Sequence, residues 1–285
     1  MSPTLNELLD EGCRQLKDAG IANPLLAAEV MLRFLLGLRR VDLYLKGTMP
    51  VPPDAERDFH LMVDRKLQRE PLQYIIGETE WFGLKIKCNS SALVPRPETE
   101  IVVERALELI ANLQEPLVAD IGTGSGNIAI AIALSRTDAR VVATDISSEA
   151  LSLARENIAL HGVEARVALR LGNLLEPLGT DAIFDLIISN PPYVPESEYS
   201  LLMPEVRDYE PQIALVAGED GLGVIRPLIS EAHLHLKSGG LLVFEIGEQQ
   251  AADARRLVAD CGMYDLLDTI IDYNDKCRGI IACKR

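Results

Sequence analysis

Paired cysteines are missing from this sequence: Cys13, Cys88, Cys261, Cys277 and Cys283 form an odd set with no Cys-x-x-Cys spacing. That excludes a disulfide framework, suggests no zinc or other metal site, and leaves buried free thiols as the ordinary reading. Histidine is also scarce. The four present form neither a His-x-x-x-His pattern nor a Ser/His/Asp one, which counts against hydrolase and metalloenzyme chemistry. No apolar run approaches the roughly 18 residues of a membrane span. The opening "MSPTLNELLDEG" turns acidic and amphipathic at once, without the basic and apolar regions of a secretion signal, so a cytoplasmic protein is expected. Positive charge is in deficit, with 28 Lys and Arg against 43 Asp and Glu, a formal net charge of −15. A field of that sign repels phosphate backbones, and direct nucleic-acid binding is not expected.

What is present is 285 residues, 48% hydrophobic and 25% charged, enough for one large domain or two unequal ones. Residues 1–75 carry helical periodicity. Thr4 and Glu7 make a capping box ahead of Leu8, Leu9 and Leu16; Asn23 as cap, Pro24 and the stop Gly37 frame a helix with a face of Leu26, Val30 and Phe34. A third pattern places Phe59, Met62, Val63 and Leu67 together, so a small helical bundle is predicted. Residues 76–95 mix aromatics, alternation and the turn-forming "CNSSA", which predicts a β-hairpin connector and a domain boundary.

Residues 96–285 alternate between strand and helix patterns. Strands are predicted at "PLVADIG", "RVVATD", "ARVALRLG", "FDLIISN" and "GLLVFEIG", with helices between them, one near 222–237 leading through the turn "SGG". Such alternation means a Rossmann-like α/β sheet, parallel and covered by helices on both faces. The last two strands, "YDLLDTIIDY" and "RGIIACKR", have no helix between them and should close the sheet as an antiparallel hairpin, making seven strands.

The first of these strands runs into "ADIGTGSGN", where Gly122, Gly124 and Gly126, with Thr123 and Ser125 between them, lead into a helix. Glycines at that place let the backbone approach a nucleotide-like ligand, and the helix N-terminus favours its negative groups. Asn127 stands where a dinucleotide fingerprint needs glycine, which weakens a nicotinamide reading. Asp145 ends the second strand, in position to accept hydrogen bonds from two ribose hydroxyls, although it has a second use as a helix cap; Ser147 and Ser148 are there for that task. Asp120 either orients the loop or takes an amino group of the ligand. Asn173 and Leu174 follow the third strand, where an adenine would lie; Asn173 is equally a turn residue.

The fourth strand ends in "SNPPYVPE". The side-chain oxygen of Asn190 and the Pro191 carbonyl, stiffened by the rings of Pro191 and Pro192, are two fixed acceptors that can hold both hydrogens of a planar NH₂. Such a nitrogen is a poor nucleophile, since its lone pair is conjugated, as an amide rotation barrier of about 18–20 kcal/mol attests. Holding it in near-attack geometry is worth roughly 7–11 kcal/mol. Tyr193 offers a flat wall for a planar group. A stiff turn is the alternative use of these four residues.

Taken together, the residues resemble a class I S-adenosylmethionine-dependent methyltransferase. More narrowly, "PLQYIIGETEWFGL", "LVPRPETE", "DIGTGSGNIAIAIA", "SNPPYVPE", "YEPQIALVAGEDGL" and "FEIGEQQ" resemble the PrmC/HemK family, which methylates the glutamine of the GGQ motif in peptide chain release factors. The resemblance implies S-adenosylmethionine held by Gly122 to Gly126 and Asp145, with Asn173 and Leu174 near the adenine, and the glutamine amide held by Asn190 to Tyr193; Asp120 and Asn190, at the ends of their strands, are expected to touch the cofactor as well. It implies a release factor as partner, recognised by the N-terminal bundle; a monomer is expected. Arg96 and Glu98 begin a helix flanking the cofactor site and either help to close it or simply start the helix. An aromatic residue often stands in this family where Leu174 does here. The competing readings are methylation of an exocyclic amine in DNA or RNA and a non-catalytic cofactor-binding scaffold.

Overall fold

The computed structural model describes residues 2–179 and 183–285. Two compact units result, Met1–Gly77 with Met203–Tyr209, and Glu78–Leu202 with Glu210–Arg285.

The first unit is helical, with helices Leu5–Asp18, Pro24–Leu36, Arg40–Leu45, Pro53–Leu67 and Leu72–Ile76. The Thr4–Glu7 capping box forms, and Leu5, Leu8, Leu16, Met31, Leu32, Phe59 and Val63 are buried together. Two expectations fail in the second helix. Asn23 adopts a left-handed conformation (φ 51°) and makes no side-chain cap bond, while Pro24 starts the helix. The buried face is Ala27, Ala28, Met31 and Leu32, whereas Leu26 and Phe34 are 47% and 45% exposed. This helix is apolar nearly all round, so periodicity does not choose its inner face; the small alanines do, by letting the backbone come close. Residues 203–209 belong to this unit through Glu205, within 3.6 Å of Lys66 and 3.7 Å of Arg69, and through the Tyr209 hydroxyl, which donates to the Gln68 carbonyl at 2.5 Å.

The second unit opens with a hairpin of β1 (Glu78–Trp81) and β2 (Leu84–Lys87). Its turn residues Phe82 and Gly83 both have positive φ, which matches the twist of the flanking strands. Then come β3 (Leu117–Ile121), β4 (Arg140–Asp145), β5 (Val167–Leu171), β6 (Phe184–Ser189), β7 (Leu236–Glu245), β8 (Tyr264–Ile271) and β9 (Cys277–Lys284). They make one seven-stranded sheet in the order β5-β4-β3-β6-β7-β9-β8, parallel from β5 to β7 and antiparallel at β9 and β8. Because successive side chains alternate across a strand, Leu186 and Ile188 of β6 join one core with Ile128, Ile130 and Ile132, while Ile187 joins the other with Leu228 and Phe244; Phe184 joins that second core too, because the register shift between Phe184 and Leu186 interrupts the alternation. Both faces are covered, which is why Leu186, Ile187 and Ile188 of β6 are apolar in succession rather than alternating with polar residues. Each such side chain contributes roughly 1.5–3 kcal/mol on burial.

One boundary differs from expectation. The "SGG" at 238–240 lies inside β7 at a register shift against β6 rather than ahead of the strand. A side chain on Gly240 would meet the carbonyls of Lys237 and Phe184 at 2.9 and 3.1 Å, so the irregularity needs glycine. The preceding helix is correspondingly shorter, Ile225–His235.

Candidate active site

Strands β5, β4, β3 and β6 are neighbours, and the chain leaves each of them at the same edge of the sheet. This places the residues after them around one cavity of about 270 Å³. Of the predicted site residues, Gly122, Thr123, Gly124, Ser125, Asp145, Asn173, Leu174, Asn190 and Pro192 line it, while Asp120, Gly126, Pro191 and Tyr193 do not.

The glycine loop is stitched to β4. Gly122 and Thr123 both donate their N–H to the Thr144 carbonyl at 2.9 Å, and Gly124 donates to Asp145 Oδ2 at 2.8 Å. Gly122, Gly124 and Gly126 all have positive φ. A Cβ on Gly126 would also lie 3.2 Å from that of Ala154, so this glycine serves packing rather than lining. Asp120 is fully buried: Oδ2 accepts from the Thr123 hydroxyl at 2.6 Å and the Ala129 N–H at 3.1 Å. Its Oδ1 has no partner among the described residues. Burial pushes the Asp120 carboxyl up to about 7, against the two hydrogen bonds, with Asp145 adding to the rise. Asp145 also accepts from the Ser147 N–H at 2.9 Å, and burial raises its pKa. Ser147 itself caps the helix Ser148–Leu160. Asn173 lines the cavity, and its carbonyl accepts the Glu176 N–H in a turn. Leu174 has φ 45°, held by the Thr144 hydroxyl on its carbonyl at 2.9 Å.

At the end of β6, Ser189 donates to the Ile121 carbonyl at 2.7 Å and locks the strand to β3. Asn190 Nδ2 donates to Thr99 Oγ1 at 3.0 Å. Tyr193 does not form a cavity wall; its hydroxyl donates to Glu245 Oε1 at 3.3 Å, and its ring packs on the core beneath. The Gln250 side chain ties the loop from behind, donating to the carbonyls of Tyr193 and Gly221 at 3.0 and 3.2 Å and accepting the Gly247 N–H at 2.9 Å.

Sequence reasoning missed the rest of the lining. Ala92, Leu93 and Thr99 come from either side of Arg96, and Ile213, Ala214 and Val216 from "YEPQIALVAGEDGL", which carries the family resemblance but no reactive side chain at these three positions. Arg96 lines the cavity and its carbonyl accepts the Trp81 indole N–H at 2.8 Å. Glu98 does not line it, lying instead 3.7 Å from Arg278.

A parallel sheet closed by an antiparallel hairpin, with a glycine loop after its central strand and an Asn-Pro-Pro-Tyr turn on the next, defines a class I methyltransferase. Solved structures agree on the fold: the hMettl16 catalytic domain has a TM-score of 0.59 at 15% identity over 84% of each chain, and a methyltransferase from Pyrococcus furiosus has 0.51 at 20% identity over 81% of this chain and 98% of that one. Residues 7–77 match the PrmC N-terminal domain and residues 102–204 the methyltransferase small domain. The release factor glutamine methyltransferase of Deinococcus radiodurans is 42% identical over 247 residues, 87% of either chain. That of Chlorobaculum tepidum is 38% identical over 282 residues, 96% of this chain and 95% of its own. The chain belongs to the release factor glutamine methyltransferase family. Among the described residues no helix is long and apolar enough to cross a membrane.

Proposed function

We propose that this enzyme transfers a methyl group from S-adenosylmethionine to the side-chain amide nitrogen of the glutamine in the GGQ motif of peptide chain release factors. The observation that carries this reading is the placement of Asn190, whose nitrogen is tied back to Thr99 while its oxygen is left for the cavity beside the glycine loop.

The cavity residues suit the cofactor. Backbone at Gly122 and Gly124 carries no side chain to fend it off, Asp145 supplies carboxylate lone pairs for ribose hydroxyls, and Asn173 and Leu174 border the place for the base. Asp120 Oδ1, buried without a donor among the described residues, is an acceptor that a cationic group of the ligand would satisfy. When bound, the cofactor supplies a methyl group on a cationic sulfur that departs as a neutral thioether. Asn190 Oδ1 accepts an amide hydrogen and orients the nitrogen lone pair toward the cofactor side of the cavity. As the N–C bond forms, positive charge develops on nitrogen, and this acceptor binds that charge more strongly than the neutral amide. The methylated nitrogen is then strongly acidic and gives its proton to water. We assign recognition of the release factor to the helical N-terminal unit, which matches the PrmC N-terminal domain.

Mass spectrometry of the GGQ region after incubating release factor, enzyme and S-adenosylmethionine should show one added methyl on the glutamine. Label from the cofactor entering only DNA or RNA would overturn the assignment.

A further inference from the structure

Glu245 ends β7, the strand beside β6, and is 1% exposed. Thr99, in the first turn of the helix Pro97–Leu109, donates its hydroxyl to Glu245 Oε2 at 2.7 Å, and Tyr193 donates to Oε1 at 3.3 Å. An ionised carboxylate only accepts, so both hydroxyl protons are committed to it. Thr99 Oγ1 is thereby left with lone pairs alone, and Asn190 Nδ2 donates to one of them at 3.0 Å. With its nitrogen turned to Thr99, Asn190 presents Oδ1 on its other side. The two ends of a side-chain amide are nearly identical in shape, so only such hydrogen bonding decides which faces outward.

We propose that Glu245 and Thr99 are positioning residues, a buried carboxylate–hydroxyl relay that fixes the flip of the Asn190 amide so that its acceptor, not its donor, faces the substrate. The proposal rests on reading Asn190 as the acceptor for the glutamine amide. The relay has polarity. Glu245→Gln leaves one acceptor oxygen for two hydroxyl donors; with that oxygen held by Tyr193, the amide nitrogen donates to Thr99 Oγ1, which turns the threonine proton toward Asn190 and draws Oδ1 to it. Asn190 then offers N–H groups to a substrate that brings N–H groups of its own.

The groups acting on Glu245 are Thr99 and Glu98 from the helix Pro97–Leu109, Tyr193 from the loop after β6, and Arg278 from β9, itself 2.7 Å from Asp272. Burial lifts the Glu245 carboxyl to about 7, helped by Glu98; the Thr99 and Tyr193 hydrogen bonds and Arg278 pull the other way. The relay needs the ionised form and is therefore complete above that pH.

Two readouts on the full chain test this. The first is solvent exchange of the Asn190 side-chain NH₂ by NMR, assigned by its absence in Asn190→Ala. Protection in the wild type and Thr99→Ser, lost in Thr99→Val and Glu245→Gln, is the expected result. Protection unchanged in Thr99→Val and Glu245→Gln overturns the relay, whatever the substrate proves to be. The second is turnover on release factor: kcat should fall about 100-fold in both variants, the scale set by a 1 Å misplacement, with S-adenosylmethionine affinity within a few-fold and Thr99→Ser recovering most of the loss. With S-adenosylmethionine saturating, so that Asp120 is already engaged, wild-type kcat should fall as pH drops through about 7, and Glu245→Gln should lack that limb. An active wild type with equally active variants overturns the relay alone; a wild type inert on release factor overturns the substrate assignment, and the exchange result then judges the relay. Should Thr99→Val fail to fold, Glu245→Leu, which leaves no acceptor for the Thr99 hydroxyl, decides.

Discussion

The Arg96 guanidinium lies 2.6 Å from Glu210 Oε1, and the other oxygen of that carboxylate accepts the Val94 N–H at 3.3 Å. Glu210 is 5% exposed, and burial raises its pKa against the pull of Arg96. One carboxylate thus fastens the segment before the helix Pro97–Leu109 to the segment that continues into Pro211 and Ile213, both of which line the cavity. Arg96→Ala leaves that carboxylate buried with a single donor, and should cost roughly 1–3 kcal/mol in urea unfolding. Cofactor affinity should weaken several-fold as the two lining segments loosen. Unchanged stability and affinity would show that the pair is ornamental.

Asn190→Ala removes an acceptor while leaving the glycine loop and Asp145 intact. Turnover should fall about 10²–10³-fold, as when one preorganised hydrogen-bonding partner of a transition state is lost. Calorimetric affinity for S-adenosylmethionine should stay within a few-fold. A parallel loss of both would mean that Asn190 works chiefly by holding the cofactor.

Two glycines of one loop should respond differently to alanine. At Gly122 a methyl group meets nothing within 4 Å, so only the positive φ of 71° is penalised, at about 1–2 kcal/mol. At Gly126 the same penalty is joined by contacts of 3.2 and 3.4 Å to Ala154, for a total of roughly 2–4 kcal/mol. Denaturant midpoints of the two variants measure the difference, and the loss of cofactor affinity should be the larger share of the effect at Gly122. Equal destabilisation would remove the packing role of Gly126.

Much of this was legible in the sequence for reasons that the structure makes concrete. β4 runs Arg140–Asp145, the very residues of "RVVATD", because alternation inside and an acidic stop outside mark both ends. The loop after β3 and the turn after β6 announced themselves through glycine and proline, whose backbone demands are local. Thr99 and Glu245 were not read as site residues, since their importance lies in meeting each other across 146 positions of chain. A signal for Glu245 did exist: like Asp145, it is an acidic residue closing an apolar strand at the ligand edge of the sheet. Nothing comparable marks 203–209 as part of the helical unit, or Ala27 rather than Leu26 as an inner residue, because long-range packing alone decides both.

Asp120 gives a pH signature of stability. Its carboxyl moves from 3.8 to about 7 on folding, so the native state binds its proton more tightly than the unfolded chain. Stability from this group is therefore complete below about pH 4 and declines as pH rises toward 7, by at most about 1.4 kcal/mol per pH unit. Asp120→Asn cannot ionise, and can still accept from Thr123 and Ala129 through its one oxygen. Its stability relative to wild type should rise between pH 4 and pH 8. Urea midpoints of both proteins at the two ends of that range provide the check, and a constant difference would mean that Asp120 is ionised throughout.

The order of the strands carries a practical meaning. The residues assigned to the cofactor leave from β3, β4 and β5, and those assigned to the acceptor leave from β6, on the far side of β3. Retargeting this enzyme from an amide to another planar amine is thus a grafting problem confined to one loop and its braces, with the donor half of the machine kept as an untouched chassis.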